Sequence, residues 1–224
     1  VNASAASSAT SNRRPRVVYG NDPLCGWCFA IGPELIEAKR RTTDRFDWHV
    51  ECGGLVVGDR VHPVAQDREY LVAGLAQVAA VSGRQASAAY FDGLLADGTW
   101  VSNSEPSCRA VIVVRELAPD RVIEFSHGLT DALYLDGREP DAPDTIRDIA
   151  DGVGVDGDLV VTRWSAPAAR DATVAAFAHA RAIGVTTYPS LFVDVGGGLA
   201  PIVAGWSPAD AIVAALENAA EPLV

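Results

Sequence analysis

The chain has 224 residues, 49% of them hydrophobic and 21% charged, which is enough to build a sizeable core and unlike a disordered composition. A formal charge of −11 repels phosphate backbones and excludes nucleic acid as an expected partner. No apolar run reaches the ~18 residues of a membrane span, and 4 cysteines are too few for a disulfide scaffold.

Residues 1–12 are small and polar and lack the apolar stretch of a secretory signal, so residues 1–15 are expected to form a flexible tail. The chain contains no methionine, which leaves its natural start open. Arg16-Val17-Val18-Tyr19 reads as a short strand. Asp22-Pro23 makes a turn, and a helix runs from residue 24 or 25 to 41 with Cys28, Ile31, Leu35, Ile36 and Ala38 near one face. Pro33 interrupts that helix and is expected to kink it. Residues 46–52 form a second strand, in which Phe46, Trp48, Val50 and Cys52 alternate with Asp47, His49 and Glu51. Strand, helix and strand in this order predict a parallel pair with a right-handed crossover.

Helical patterns fill residues 67–164. Tyr70, Leu71, Leu75, Val78 and Ala79 make one amphipathic helix closed at Gly83, and residues 88–96 make another. Ser104-Glu105-Pro106 opens a further helix, with Ser104 expected as its N-cap. Helices over 122–135, 144–153 and 158–164 follow. An Ala-rich helix over 165–183 ends at Gly184 as its C′ residue. Then come a strand over 190–195, a turn at Gly196-Gly197-Gly198, a strand over 201–204 and a last helix from Ser207-Pro208 to about residue 219. Periodicity alone gives an α/β protein.

The chemistry concentrates in Asn21-Asp22-Pro23-Leu24-Cys25-Gly26-Trp27-Cys28-Phe29. Two thiols separated by two residues at the mouth of a helix can close a small disulfide, and the free N–H groups and positive dipole end there favour a thiolate. Cys25 reads as the attacking, more exposed thiol; Cys28, one turn further in, reads as the resolving one. No charged side chain lies between them, so stabilisation comes mainly from the helix end, and a moderate rather than strongly oxidising potential is expected. The competing reading is half of a structural zinc site. Such sites need four ligands, while Cys52 and Cys108 stand isolated and no His pair has ligand spacing, so no metal or organic cofactor is expected.

Several neighbours keep two readings. Asp22 is an Asx-turn residue or a proton acceptor for Cys28. Trp27 is a packing residue or a platform for apolar substrate groups. Cys52 is a small buried hydrophobe. Cys108 is a buried thiol or a second redox partner of Cys52, and Arg109 is a solvated helix residue or a holder of anions.

A distant stretch, Gly184-Val185-Thr186-Thr187-Tyr188-Pro189-Ser190-Leu191-Phe192-Val193, starts a strand directly after a proline. Together with the C-x-x-C it resembles the thioredoxin superfamily, in which a cis-proline loop faces the two cysteines and pairs with the substrate backbone. More narrowly, the chain resembles DsbA-family thiol–disulfide oxidoreductases of the FrnE-like branch. The match rests on Asp22-Pro-Leu-Cys-Gly-Trp-Cys28, Gly53-Gly-Leu55, Asn103-Ser-Glu-Pro-Ser-Cys-Arg-Ala-Val111 and Ala182-Ile-Gly-Val-Thr-Thr-Tyr-Pro-Ser190.

The resemblance implies a thioredoxin-like fold over residues 16–65 and 165–224, with an all-helical insertion over 66–164. It implies Cys25 and Cys28 as catalytic residues, with Trp27, Thr187, Tyr188 and Pro189 binding substrate. It implies exchange of disulfides with protein or peptide thiols, glutathione included. The lack of a secretory-signal stretch makes a cytoplasmic location the expectation. Two rivals stay open. One is a glutathione-linked isomerase of the 2-hydroxychromene-2-carboxylate type; the other is a non-catalytic thioredoxin-like binding module or holdase. Oligomeric state is open.

Overall fold

β1 (Arg16–Asn21) is the strand around which the sheet is laid. All but its first residue are buried, as expected of a run that other elements cover on both faces. In the computed structural model, which describes residues 14–194 and 198–220, β1 leads through the Asp22–Cys25 turn into α1 (Gly26–Thr42) and then β2 (Asp47–Cys52). β1 and β2 pair in parallel, Arg16 opposite Asp47 through Asn21 opposite Cys52. β2 buries Trp48, Val50 and Cys52 and half-exposes Asp47, His49 and Glu51, so the period-two reading holds.

From the far end of the chain, β5 (Ser190–Asp194) lies antiparallel on the other side of β1, and β6 (Leu199–Ala204) lies antiparallel outside it. The sheet order is β2-β1-β5-β6. α8 (Pro167–Ala182) precedes β5 and α9 (Ala209–Ala220) follows β6. Expectations for the tail to residue 13, for Val195 and for Gly196 and Gly197 lie outside the described residues.

Between β2 and α8 the chain forms α2 (Arg68–Ser82), a π-helical turn (Ala89–Leu94) running into α3 (Leu95–Asp97), α4 (Ser104–Leu117), α5 (Val122–Tyr134), α6 (Pro143–Gly152) and α7 (Gly157–Trp164). This stretch is not all helical. The two-residue strand β4 (Val101–Ser102) pairs with β3 (His62–Pro63), a ladder too short to leave a period-two signal. Ser104 is not the cap of α4. Asn103 takes that place, its side chain accepting the Glu105 N–H at 3.0 Å, while the Ser104 hydroxyl is drawn elsewhere. Tyr70, expected on the buried face of α2, is 77% exposed; Leu75 and Val78 carry the burial instead.

The proline in α1 has a partner elsewhere in the fold. Pro33 has no N–H, so the carbonyl of Phe29, four residues earlier, loses its helical donor. Arg84 supplies one: its guanidinium donates to that oxygen at 2.6 Å and lies over the Phe29 ring. The same guanidinium pairs with Asp131 and donates to His127 Nε2 on α5. Burial, with Arg84 second, pushes the His127 imidazole down to about 3, so the ring is neutral and accepts. His127 in turn packs on Gly32, where a Cβ would stand 2.0 Å from its Nδ1, so only glycine lets α1 and α5 approach this closely.

Two buried clusters meet at the start of α1. One fills the sheet and its covering helices. The other gathers Leu24, Phe29, Leu75, Val78, Tyr90, Trp100 and Tyr134, joining the Asp22–Cys25 turn to the central helices. Tyr134 stacks near Phe29 and Tyr90, and its hydroxyl donates to the Leu24 carbonyl at 2.6 Å.

Candidate active site

Cys25 occupies the N-cap of α1 in an extended conformation, and no side chain caps the helix there. The first-turn N–H groups are therefore left to whatever charge the Cys25 sulfur carries. The Tyr188–Pro189 peptide bond is cis, and the Cys25 thiol donates to the Tyr188 carbonyl at 3.4 Å. The strand–turn–helix and the proline loop, 163 residues apart, thus meet at one sulfur.

Cys28 sits behind it. Burial pushes its thiol well up, contact with Cys25 adds to that, and the Asp22 N–H and the Tyr19 hydroxyl pull the other way. Cys25 is 5% exposed and Cys28 1%. Of the two, only Cys25 lines a cleft of about 570 Å³. One wall of the cleft is Leu24, Cys25 and Trp27; another is Leu71, Leu75 and Val78 of α2; Tyr188 and Tyr134 close its sides. Arg60 and His62 bring positive or protonatable groups to it, with Asp67 3.6 Å from the His62 ring.

Of the six residues singled out in the sequence, Cys25, Trp27 and Tyr188 line the cleft, Cys28 lies behind Cys25, and Thr187 and Pro189 flank Tyr188 outside the lining. Trp27 is half-buried against the second cluster and also lines the cleft, so packing and platform roles coexist. Tyr188 lays its ring over Gly53, where a Cβ would clash with the hydroxyl, so Gly53 is what lets the tyrosine form the cleft wall. Pro189 is buried, Thr187 is exposed, and the Thr187 carbonyl accepts the Ser190 hydroxyl at 2.8 Å.

Arg109 departs from both of its readings, while Asp22 is an Asx-turn residue and Cys52 and Cys108 are buried, as the simpler readings have them. Arg109 is not available to a substrate: it grips both Glu105 oxygens and the Trp164 carbonyl, and stacks over the Trp164 ring. The Asp22 carboxylate makes the Asx turn, accepting the Leu24 N–H at 3.0 Å, and only its backbone reaches Cys28. Cys52 and Cys108 are fully buried neighbours. Burial, then contact with Cys52 and the charge of Asp22, pushes the Cys108 thiol well up, which makes it a poor nucleophile. Among the described residues no group of three or more His, Cys, Asp or Glu is placed to hold a metal ion. Sequence reasoning missed Arg60, His62, Ser102 and Leu55, which reach the cleft only through the β3–β4 ladder and the turn after β2.

This arrangement predicts selective labelling. Brief treatment of the folded, reduced protein with iodoacetamide is expected to modify Cys25 alone, while unfolding exposes all four thiols. Peptide mapping checks it; comparable labelling of Cys52 or Cys108 in the folded state would contradict the assignment of a single accessible thiol.

The fold is the thioredoxin fold as DsbA-type oxidoreductases carry it, an α/β sheet with helices inserted. Three solved structures show the likeness. A candidate protein disulfide isomerase from Nitrosomonas europaea superposes with a TM-score of 0.79 at 21% identity, over 92% of this chain and 97% of that one. The cytosolic disulfide reductase DsbM from Pseudomonas aeruginosa gives 0.77 at 24% identity, over 91% and 98%. The same reductase in a structure with glutathione gives 0.75 over the same shares. No protein-family model matches the chain, and no curated protein matches it at a significant level. Identities of this size establish the fold; activity has to be argued from the site.

Proposed function

We propose that the protein is a thiol–disulfide oxidoreductase working through Cys25 and Cys28. The observation that carries this is the Cys25 sulfur itself. It belongs to the N-cap residue at the positive end of α1, touches the proline-loop carbonyl and opens on a cleft, with a second thiol behind it. Cys25 as thiolate attacks one sulfur of a disulfide, forming a mixed disulfide and releasing one thiolate. Cys28 then attacks the Cys25 sulfur, its proton passing to one of the released thiolates, closing the protein disulfide and releasing the second. Two electrons pass from the protein dithiol to the substrate, and the reverse sequence oxidises a dithiol. The Tyr188 carbonyl and the loop from Thr187 to Pro189 offer main-chain contacts to an extended partner, as strand addition does.

The cleft lies within the ~300–1,000 Å³ range of small-molecule sites, and Arg60 and His62 suit carboxylates beside the reacting sulfur. Glutathione and peptide thiols are therefore the substrates we favour, and the glutathione-bound neighbour supports that reading. The sequence motifs favour the FrnE-like branch, and the likeness to a cytosolic disulfide reductase supports a cytoplasmic location. No helix among the described residues is long and apolar enough to cross a membrane. The pattern also favours dividing the chain into a thioredoxin-like unit, residues 16–65 and 165–224, and a middle insertion. The isomerase alternative is less well supported, because both thiols are intact and adjacent.

The test is stoichiometric. Reduced protein mixed with one equivalent of glutathione disulfide is expected to lose two thiols, release two glutathiones and link Cys25 to Cys28. Retention of all four thiols, or release of glutathione with a link elsewhere, would refute the proposal.

A further inference from the structure

Arg60 is a cation without a partner. The chain carries 29 acidic residues against 18 arginines and lysines, so carboxylates are in excess. Yet among the described residues Arg60 and Arg181 are the only arginine or lysine side chains with no hydrogen bond or ion pair. Of these two, Arg60 lines the cleft onto which Cys25 opens. Asp67, the one carboxylate on that lining among the described residues, lies 3.6 Å from the His62 ring and outside ion-pair distance of Arg60. Much of the remaining lining is apolar, Leu24, Trp27, Leu71, Leu75 and Val78 among it, and low-dielectric walls strengthen the field of a lone charge.

The arm that carries Arg60 is fixed at both ends. At its root the Asp22 carboxylate accepts the Leu24 N–H at 3.0 Å on one oxygen and the Leu55 N–H at 2.6 Å on the other. One side chain thus holds both the turn before Cys25 and the start of the arm. The Val56 N–H then donates to the Ser104 hydroxyl at 2.9 Å, and the Ser104 N–H to the Val56 carbonyl at 2.9 Å. A single 3-10 turn (Gly58–Arg60) follows, closed by the Val61 N–H on the Gly58 carbonyl at 3.0 Å. Beyond it β3 pairs with β4, and the Val64 N–H donates to the Trp100 carbonyl at 2.8 Å. The backbone therefore keeps Arg60 at the cleft with no salt bridge to hold it there. The arm is ordered before a ligand arrives, which lowers the entropic cost of binding.

We propose that Arg60 is a specificity-determining residue: its guanidinium receives a carboxylate of the incoming disulfide, so that Cys25 reacts preferentially with small anionic disulfides of the glutathione type. A guanidinium offers parallel N–H donors that match the two oxygens of a carboxylate. Glutathione carries a carboxylate at each end of a tripeptide with its sulfur in the middle, so one end can reach Arg60 while the sulfur lies at Cys25. A neutral disulfide gains nothing from the contact, and a cationic one is repelled by it. The inference deepens the oxidoreductase reading and rests on Cys25 as the attacking thiol.

The experiment compares the second-order rates of the reduced protein with glutathione disulfide, neutral bis(2-hydroxyethyl) disulfide and cationic cystamine. Calorimetric binding of S-methylglutathione, which cannot exchange, is measured alongside. Arg60→Gln is expected to lower the ratio of the glutathione disulfide rate to the hydroxyethyl disulfide rate about tenfold, the scale of one charge-assisted hydrogen bond at an exposed side chain. S-methylglutathione should bind more weakly by about the same factor. Arg60→Glu should move the ratio of cystamine to glutathione disulfide about a hundredfold toward cystamine. In the wild type, which needs no variant to fold, the preference for glutathione disulfide should shrink about threefold or more between roughly 0.01 and 1 M salt. A purely structural role would slow all three disulfides alike and leave their ratios alone. Unchanged ratios in Arg60→Gln would overturn the inference and leave the redox reading intact. A wild type that exchanges with none of the three would sink the oxidoreductase reading. Loss of S-methylglutathione binding in Arg60→Gln would then still support the carboxylate site, and absent or unchanged binding would overturn it.

Discussion

Cys25→Ser is expected to abolish disulfide exchange, by at least roughly a thousandfold, because a hydroxyl at neutral pH supplies no nucleophile comparable to a thiolate. Cys28→Ser is expected to behave differently. Its Cys25 sulfur still sits at the end of α1 against the Tyr188 carbonyl and still opens on the cleft, so the first attack proceeds. The second cannot, and a stable adduct of one glutathione at Cys25 accumulates. Intact-mass measurement after exposure to glutathione disulfide separates the two variants. The asymmetry follows from burial: one thiol faces the cleft, the other only its partner, the Asp22 N–H and the Tyr19 hydroxyl. Equal adducts on both variants would mean that the two sulfurs are interchangeable, contrary to their placement.

The second large effect lies away from the chemistry. Arg84→Ala removes the donor that replaces the missing N–H of Pro33, and it leaves the Phe29 carbonyl, His127 and Asp131 without their shared guanidinium. Stranding a buried carbonyl and a partly buried carboxylate costs on the order of 3 kcal/mol. For a chain of this size that lowers the melting temperature by about 6–12 °C. Thermal denaturation followed by circular dichroism checks it. Arg84→Lys should recover only part of the loss, since one ammonium lacks the fork that spans all three acceptors and stacks less well on Phe29. A melting temperature unchanged in Arg84→Ala would show that water or a shifted helix satisfies Phe29 instead.

What could be read in the sequence was local. Cys25, Cys28 and the Asp22-Pro23 turn lie within seven residues, and the strand before them and helix after them follow from short-range pattern. The alternation of Trp48, Val50 and Cys52 placed β2 correctly because its period is strict over six residues. Pairing Tyr188-Pro189 with Cys25 came from family resemblance, since no local signal joins positions 163 residues apart. The failures share a cause. Ser104 satisfies every local rule for an N-cap, yet its hydroxyl goes to Asp22 and Asn103 caps instead. Arg109 looks solvated by composition, but its guanidinium is occupied by Glu105 and Trp164. Tyr70 fits an apolar stripe, but its end of the stripe borders the cleft, while Leu75 and Val78 reach the core. Each turns on a contact between segments that sequence order does not bring together.

The account stands most directly on the redox behaviour of one cysteine pair, and the measurement for that is an equilibrium titration in glutathione buffers with thiol trapping and peptide mapping. A single reversible two-electron couple confined to Cys25 and Cys28 is predicted, within roughly −270 to −120 mV and away from the oxidising extreme, because the helix end and neutral donors, with no charged side chain between the cysteines, stabilise the thiolates. Cys52 and Cys108 should stay reduced throughout. Absence of a reversible couple at Cys25 and Cys28, or a metal ion held by the pair in the native mass spectrum, would contradict it.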